Sequence, residues 1–334
     1  MSTESPPDTG YIREMQIARG IGILLVTLGH SEPVAQAFPV FWDIIYSFHM
    51  PLFFFLSGFF SLRLVSRPWL QEILPRTTRL YLPYFVISLS YGLIKFFIPA
   101  LKRPVIPQEL LSQIVFYPFE NPALFLWFLY ILLLMKMLSP LFRGRGPLLF
   151  LPIFTITACW YGSIELFGIS SLLKHLLYYN CGLLLAGRHT VFFRWLRNRN
   201  LGLAVIFLFP LLYSFSTKSH NGPLPVATAL AGIWLVLSFS FLGIPERISG
   251  WLEYCGKLSL EIYLLQYYFI FPVLVALTHI GIEPRVIVLF TFTAGICGPI
   301  LTSRLLLEKS KVLALVLSGR TKKPARSTRN ETAL

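Results

Sequence analysis

Charge is what this sequence has least of. Asp, Glu, Lys and Arg make up 13% of its 334 residues, where soluble domains carry ~25%. That is too little to cover a water-facing surface of this size. Acid is the scarcer sign, with 15 Asp and Glu against 29 Lys and Arg. Cysteine is sparse as well. Cys159, Cys181, Cys255 and Cys297 lie far apart with no C-x-x-C pair, which supports neither a disulfide framework nor a metal site. No segment repeats at a fixed period. The first ten residues lack a basic stretch followed by an apolar run, so no cleavable signal peptide is expected and the first membrane segment should direct insertion itself.

What is abundant is apolar and aromatic: 55% of the chain is hydrophobic, with 30 Phe, 15 Tyr and 7 Trp. The composition predicts an all-α integral membrane protein. Apolar segments near 15–35, 41–62, 80–100, 122–139, 147–163, 168–187, 201–217, 223–243, 258–279 and 285–307 give about ten transmembrane helices. Turn residues such as Arg145-Gly146-Pro147 and Asn221-Gly222-Pro223 separate them. The expected organisation is a polar tail over 1–12, a transmembrane domain over 13–307, and a basic cytoplasmic tail over 308–334, largely disordered beyond 318.

Basic residues fix an orientation. With ten spans, the side holding the N-terminus and every second connection collects 22 of the 29 Lys and Arg, and the other side collects 4. The positive-inside rule places both termini in the cytoplasm. The net charge of +14 is then mostly a topology signal, and no nucleic-acid partner is needed to explain it.

Ionisable side chains within spans are costly and stand out as functional candidates. Arg19 and His30 lie eleven positions apart on the first segment. Eleven helical steps give three turns plus ~20° and a rise of ~16 Å, so both point the same way at different depths. As structure alone, they read as a snorkelling arginine and a core histidine. His49 falls on the antiparallel second segment in the same outer half, beside a kink favoured by Pro51. Two histidines at similar depth suit proton handling, though a packing pair has the same pattern. Arg76 and Arg79 share a helix face at i,i+3 on the cytoplasmic side. They suit phosphates, as they would suit a plain interfacial anchor. Glu32 and Asp43 lie at the outer mouth, Ser57 and Gly58 permit close helix approach, and Glu261 reads as a buried partner for an arginine. Lys174-His175 could line a cavity, but a lone histidine there is more often a satisfied core residue.

Several of these segments together resemble the acyltransferase-3 family of membrane O-acyltransferases. They are the Arg19-to-His30 spacing, His49-Met50-Pro51-Leu52-Phe53-Phe54-Phe55-Leu56-Ser57-Gly58, the Arg76/Arg79 pair, Leu126-Trp127-Phe128-Leu129, and Gly256-Lys257-Leu258-Ser259-Leu260-Glu261-Ile262-Tyr263. The wording of the first two helices is most similar to the fucose 4-O-acetylase-like branch. Members often carry His where this chain has Gln266, which removes one candidate proton carrier. The resemblance implies a bacterial inner-membrane, multi-pass enzyme that moves an acyl group, acetyl on family grounds, from acyl-CoA to a carbohydrate hydroxyl. The acceptor would be a polysaccharide, an oligosaccharide or a lipid-linked sugar. It implies acetyl-CoA as donor substrate, membrane lipids as surroundings and no metal. His30 would be the catalytic base or a transient acyl acceptor, with His49 in support. Arg19, Arg76 and Arg79 would hold the donor, and Glu32, Asp43, Ser57, Glu261 and Gln266 would be supporting positions. A transporter or flippase for a lipid-linked sugar or small anion would use many of the same features, and an inactive scaffold remains a third reading.

Overall fold

The computed structural model describes residues 12–62, 69–98, 105–142, 146–159, 163–217 and 222–319. Among these residues every regular element is helical. The helices run α1 (Arg13–Gly29), α2 (Glu32–Ala37), α3 (Pro39–Phe59), α4 (Trp69–Phe97), α5 (Leu110–Val115), α6 (Trp127–Leu138), α7 (Gly146–Cys159) and α8 (Ile169–Ala186). They continue with α9 (His189–Leu196), α10 (Arg199–Ser216), α11 (Pro223–Ser240), α12 (Glu246–Lys257), α13 (Ser259–His279), α14 (Pro284–Thr302) and α15 (Lys311–Ser318).

A helix stands at each of the ten expected places. Seven have the length and apolar composition to cross a bilayer: α3, the Leu80–Phe97 part of α4, α6 with its flanking turns, α10, α11, α13, and α14 extended to Leu307. The other three are α1 with 17 residues, α7 with 14, and α8, which carries Lys174 and His175. This is a multi-pass helical membrane protein.

Three differences from the sequence reading have physical causes. The first segment does not run unbroken from 15 to 35. Pro33 has no N–H to bond the Gly29 carbonyl, so α1 stops at Gly29 and the chain restarts as α2. Helix α4 begins at Trp69 rather than near 80. Its 29 residues make ~43 Å, longer than a hydrocarbon core of ~30 Å, so its first turns project past the apolar layer. Beyond 307 the chain is not simply a tail. Ser310 caps α15, its hydroxyl accepting from Leu313 N–H. Residues 320–334 lie outside the described ones.

Two glycine crossings hold the site helices. A Cβ on Gly20 would lie 1.9 Å from the Leu252 carbonyl oxygen, and one on Gly256 would lie 2.0 Å from that of Gln16. Backbone therefore touches backbone between α1 and α12. Helices α3 and α8 meet in the same way, Gly58 against the Tyr179 carbonyl and Gly182 against that of Phe55. At the same end as the α1–α12 crossing, Arg13 pairs with Glu246 and, at 2.9 Å, with Glu253, which also holds Lys257. The Glu246 and Glu253 carboxylates raise the Arg13 guanidinium above its ordinary value.

Within the bundle, a buried Asn121 donates to Tyr84 Oη at 3.0 Å and Ser88 Oγ at 2.9 Å, and accepts from Ala123 N–H at 2.8 Å. Tyr84 and Tyr130 donate to the Ile114 and Val115 carbonyls, each at 2.7 Å. These bonds fold the segment between α4 and α6 inward. Ala123, Leu124, Phe125 and Trp127 are thereby brought to the wall of a cavity.

Candidate active site

Because Pro33 leaves the Gly29 carbonyl without its helical partner, side chains of α3 take it. Trp42 Nε1 donates to Gly29 O at 3.0 Å and Tyr46 Oη at 3.3 Å. The two rings stack with centroids 4.0 Å apart. On the other flank, Ser31 Oγ and Thr291 Oγ1 of α14 are 2.7 Å apart. His30, the residue between, caps α1. Its Nδ1 lies 3.0 Å from Nε2 of Gln266 on α13, whose side chain is wholly buried. The His30 ring faces Tyr267 with centroids 5.2 Å apart. Backbone and side chain of His30 are thus fixed by three other helices.

His49 sits on α3 with its Nδ1 2.8 Å from the Ile45 carbonyl oxygen and the Tyr46 ring edge-on at 4.7 Å. Pro51, two residues on, removes the N–H that would bond Ser47 O. His175 of α8 has its Nδ1 2.8 Å from the Ser171 carbonyl oxygen and packs on Phe54 and Trp127.

All three histidines line one cavity of about 1650 Å³. Its walls come from the C-terminal ends of α1, α4, α7 and α13 and from the N-terminal ends of α3, α8 and α11, with the turn that opens α6. Only helices that alternate in direction can bring those ends together. The cavity therefore lies at the end of the bundle away from Arg13 and the basic connections. Its wall is largely apolar and includes six tyrosines, Trp127 and three Phe, with Lys95, Lys174 and Glu165 as charged groups. A polar recess of about 400 Å³ adjoins it, sharing Lys95, Phe119, Pro122 and Glu165 and adding Gln113, Glu120 and Asn121.

The structure brings together three of the sequence candidates: His30 and His49 in the cavity wall and Gln266 behind His30. Arg19 lies eleven residues before His30 on α1, ~16 Å along the axis, with its guanidinium 4.7 Å from the Phe60 ring centroid and 3.5 Å from Gln16 Oε1. Arg76 and Arg79 stand on the projecting first turns of α4, but their side chains are outside the described ones, as is that of Glu32. Asp43 is exposed on α3, Ser57 is half-buried with its carbonyl accepting from Ser61 Oγ, and Glu261 is buried on the first turn of α13. None of these last three lines the cavity.

Trp42, Tyr46 and Thr291 are not singled out by the sequence reading, and His175, for which it weighs a cavity below a core position, lines the cavity. A signal existed for the first two: Trp42, Tyr46 and His49 follow at i, i+4, i+7, one face of a helix.

Residues 12–304 match the family model described as an acyltransferase domain. The chain belongs to the acyltransferase-3 family. No curated protein and no solved structure matches it. As an acyltransferase-3 protein it is a membrane-bound O-acyltransferase. Such transfer needs a base for the acceptor hydroxyl and donors for the tetrahedral oxyanion. Three imidazoles, those of His30, His49 and His175, line the cavity in a largely apolar wall.

Proposed function

We propose that the protein moves an acetyl group from acetyl-CoA to a hydroxyl of a carbohydrate, in a bacterial inner membrane, with the acceptor entering from the extracytoplasmic side. The observation that carries this reading is the 1650 Å³ cavity. It exceeds the ~300–1,000 Å³ of ordinary small-molecule pockets, which leaves space for a sugar and the thioester end of a donor together. The tyrosines and Trp127 in its wall offer flat apolar faces with polar tips, the surface on which sugar rings stack. The cavity lies at the end of the bundle away from the basic connections, so orientation by the positive-inside rule opens it away from the cytoplasm.

The donor comes from the other end. CoA is polyanionic, and the projecting turns of α4 carry Arg76 and Arg79 on one face at the basic surface. Arg19 stands between that surface and the cavity, and the ~16 Å from Arg19 to His30 is comparable with the reach of an extended pantetheine arm. In this account the nucleotide end stays with the arginines while the thioester reaches the histidines.

The test is mass spectrometry of surface glycans from cells with and without the gene for this protein. Loss of single-acetyl mass increments from one glycan is expected in the deletion, restored by the wild-type protein. Identical glycan spectra, with purified protein giving no acetyl transfer, would overturn the donor and acceptor.

A further inference from the structure

Hydrogen bonds on the two catalytic-site imidazoles are of different kinds, and the difference assigns their protons. His49 Nδ1 faces only the Ile45 carbonyl oxygen, at 2.8 Å. A carbonyl accepts and cannot donate, so the neutral ring carries its proton on Nδ1 and keeps a lone pair on Nε2. His30 Nδ1 faces a side-chain amide instead, that of Gln266.

An amide can be seated either way round. With nitrogen towards His30, Gln266 Nε2 donates to His30 Nδ1 at 3.0 Å and approaches the Tyr263 carbonyl oxygen at 3.4 Å, and Oε1 is left buried without a partner. The reversed amide would bury both of its N–H groups without acceptors and set its oxygen against the Tyr263 oxygen. The first seating orphans one buried carbonyl oxygen and the second would orphan two buried N–H groups, which are the rarer kind, so the first seating is favoured. It places the lone pair of neutral His30 on Nδ1, against Gln266, and the proton on Nε2.

From this, and resting on acyl transfer to a hydroxyl, we infer that His49 is the catalytic base, that His30 donates its Nε2–H to the oxyanion, and that Gln266 is the positioning residue that sets the His30 tautomer. The roles read from the sequence, His30 as base and His49 in support, are thereby exchanged. In the step, His49 Nε2 takes the proton of the acceptor hydroxyl while its oxygen attacks the thioester carbonyl carbon. The carbonyl π pair moves onto oxygen, which accepts a hydrogen bond from His30 Nε2–H. Collapse re-forms the carbonyl and breaks the C–S bond. The departing thiolate takes the proton from the His49 imidazolium, leaving an ester, free CoA thiol and both histidines as they began. Gln266 touches no reacting atom. A glutamine there can only be neutral, so it holds His30 as a donor without offering it a charge.

Two measurements on the full-length protein in nanodiscs test this. With ¹⁵N in the histidine rings, the His30 Nδ1 and His49 Nε2 signals should be those of unprotonated nitrogens. The His30 pattern should invert in Gln266→Glu, whose carboxylate can only accept, and transfer should fall ~10²-fold or more in that variant. In kinetics, His30→Gln keeps an N–H donor but no base and should stay within ~10-fold of wild type, whereas His49→Gln should lose at least ~10²-fold. A protonated His30 Nδ1 in the wild type overturns the inference, and so does a His30→Gln loss as large as that of His49→Gln. A wild type that transfers no acetyl from acetyl-CoA would fell the donor and acceptor proposed above and not this division, which the ring-nitrogen spectrum still decides.

Discussion

Trp42 Nε1 donates to the Gly29 carbonyl oxygen at 3.0 Å, so the helix that carries His49 also fixes the backbone immediately before His30. The bond exists because Pro33 cannot supply the helical N–H for that carbonyl. One proline thus couples the positions of both histidines. Replacing Trp42 by Phe keeps most of the ring and deletes the donor. The expected outcome is a folded protein whose kcat falls ~10- to 100-fold, since small misplacements at a reacting centre cost that much, while its affinity for acetyl-CoA is unchanged. Steady-state kinetics beside an acetyl-CoA binding titration check the split.

The donor arginines should show the opposite split. Arg76→Ala or Arg79→Ala removes one charge-assisted contact worth ~1.5–3 kcal/mol, about ten- to a hundredfold in acetyl-CoA affinity. Isothermal titration reads it directly. Unchanged affinity in both variants would return the pair to an interfacial anchor.

Helix crossings give a stability prediction with an internal control. Gly58→Ala and Gly182→Ala each force a methyl to within 2.0 Å of a facing backbone oxygen, and backbone cannot step aside as a side chain can. Each should destabilise by ~1–3 kcal/mol and lower Tm in detergent. Gly202, in α10, has nothing within 4 Å of its would-be Cβ. Gly202→Ala should be neutral or stabilising by up to ~1 kcal/mol. Equal Tm values for all three variants would contradict the close crossings.

Much of this was legible in the sequence, and what was not has a common cause. Each of the ten apolar runs corresponds to a helix, because a bilayer forces long apolar runs into helices. His30 and His49 stood out because imidazoles are conspicuous in such runs. Helices α9, α12 and α15 did not stand out. They are 8 to 12 residues long, shorter than any spanning window, and α12 crosses α1 through Gly20 and Gly256. The clamp on Gly29 was hidden because it joins residues from two segments. Its sequence signals, a proline four positions after a glycine and a Trp-Tyr-His face, gain meaning only once α1 and α3 lie side by side. Gln266 shows the limit most clearly. In sequence it was a departure from the family's usual histidine, and only its place against His30 Nδ1 gives it a task.

Topology is open to a direct check. If both termini are cytoplasmic, reporter fusions at the C-terminal tail and in the 217–222 connection should give opposite readouts. Matching readouts would remove the ten-span arrangement and with it the cytoplasmic placement of Arg76 and Arg79.

The most direct test of the account is transfer of isotope-labelled acetyl from acetyl-CoA to surface polysaccharide by purified protein in nanodiscs, with wild type compared against the double variant His30→Ala, His49→Ala. The account predicts label in the polysaccharide with wild type. It predicts a loss of at least ~10²-fold in the double variant, which should still bind acetyl-CoA because the donor is held at the far end of α1 and α4. A folded double variant that transfers acetyl at the wild-type rate would contradict it.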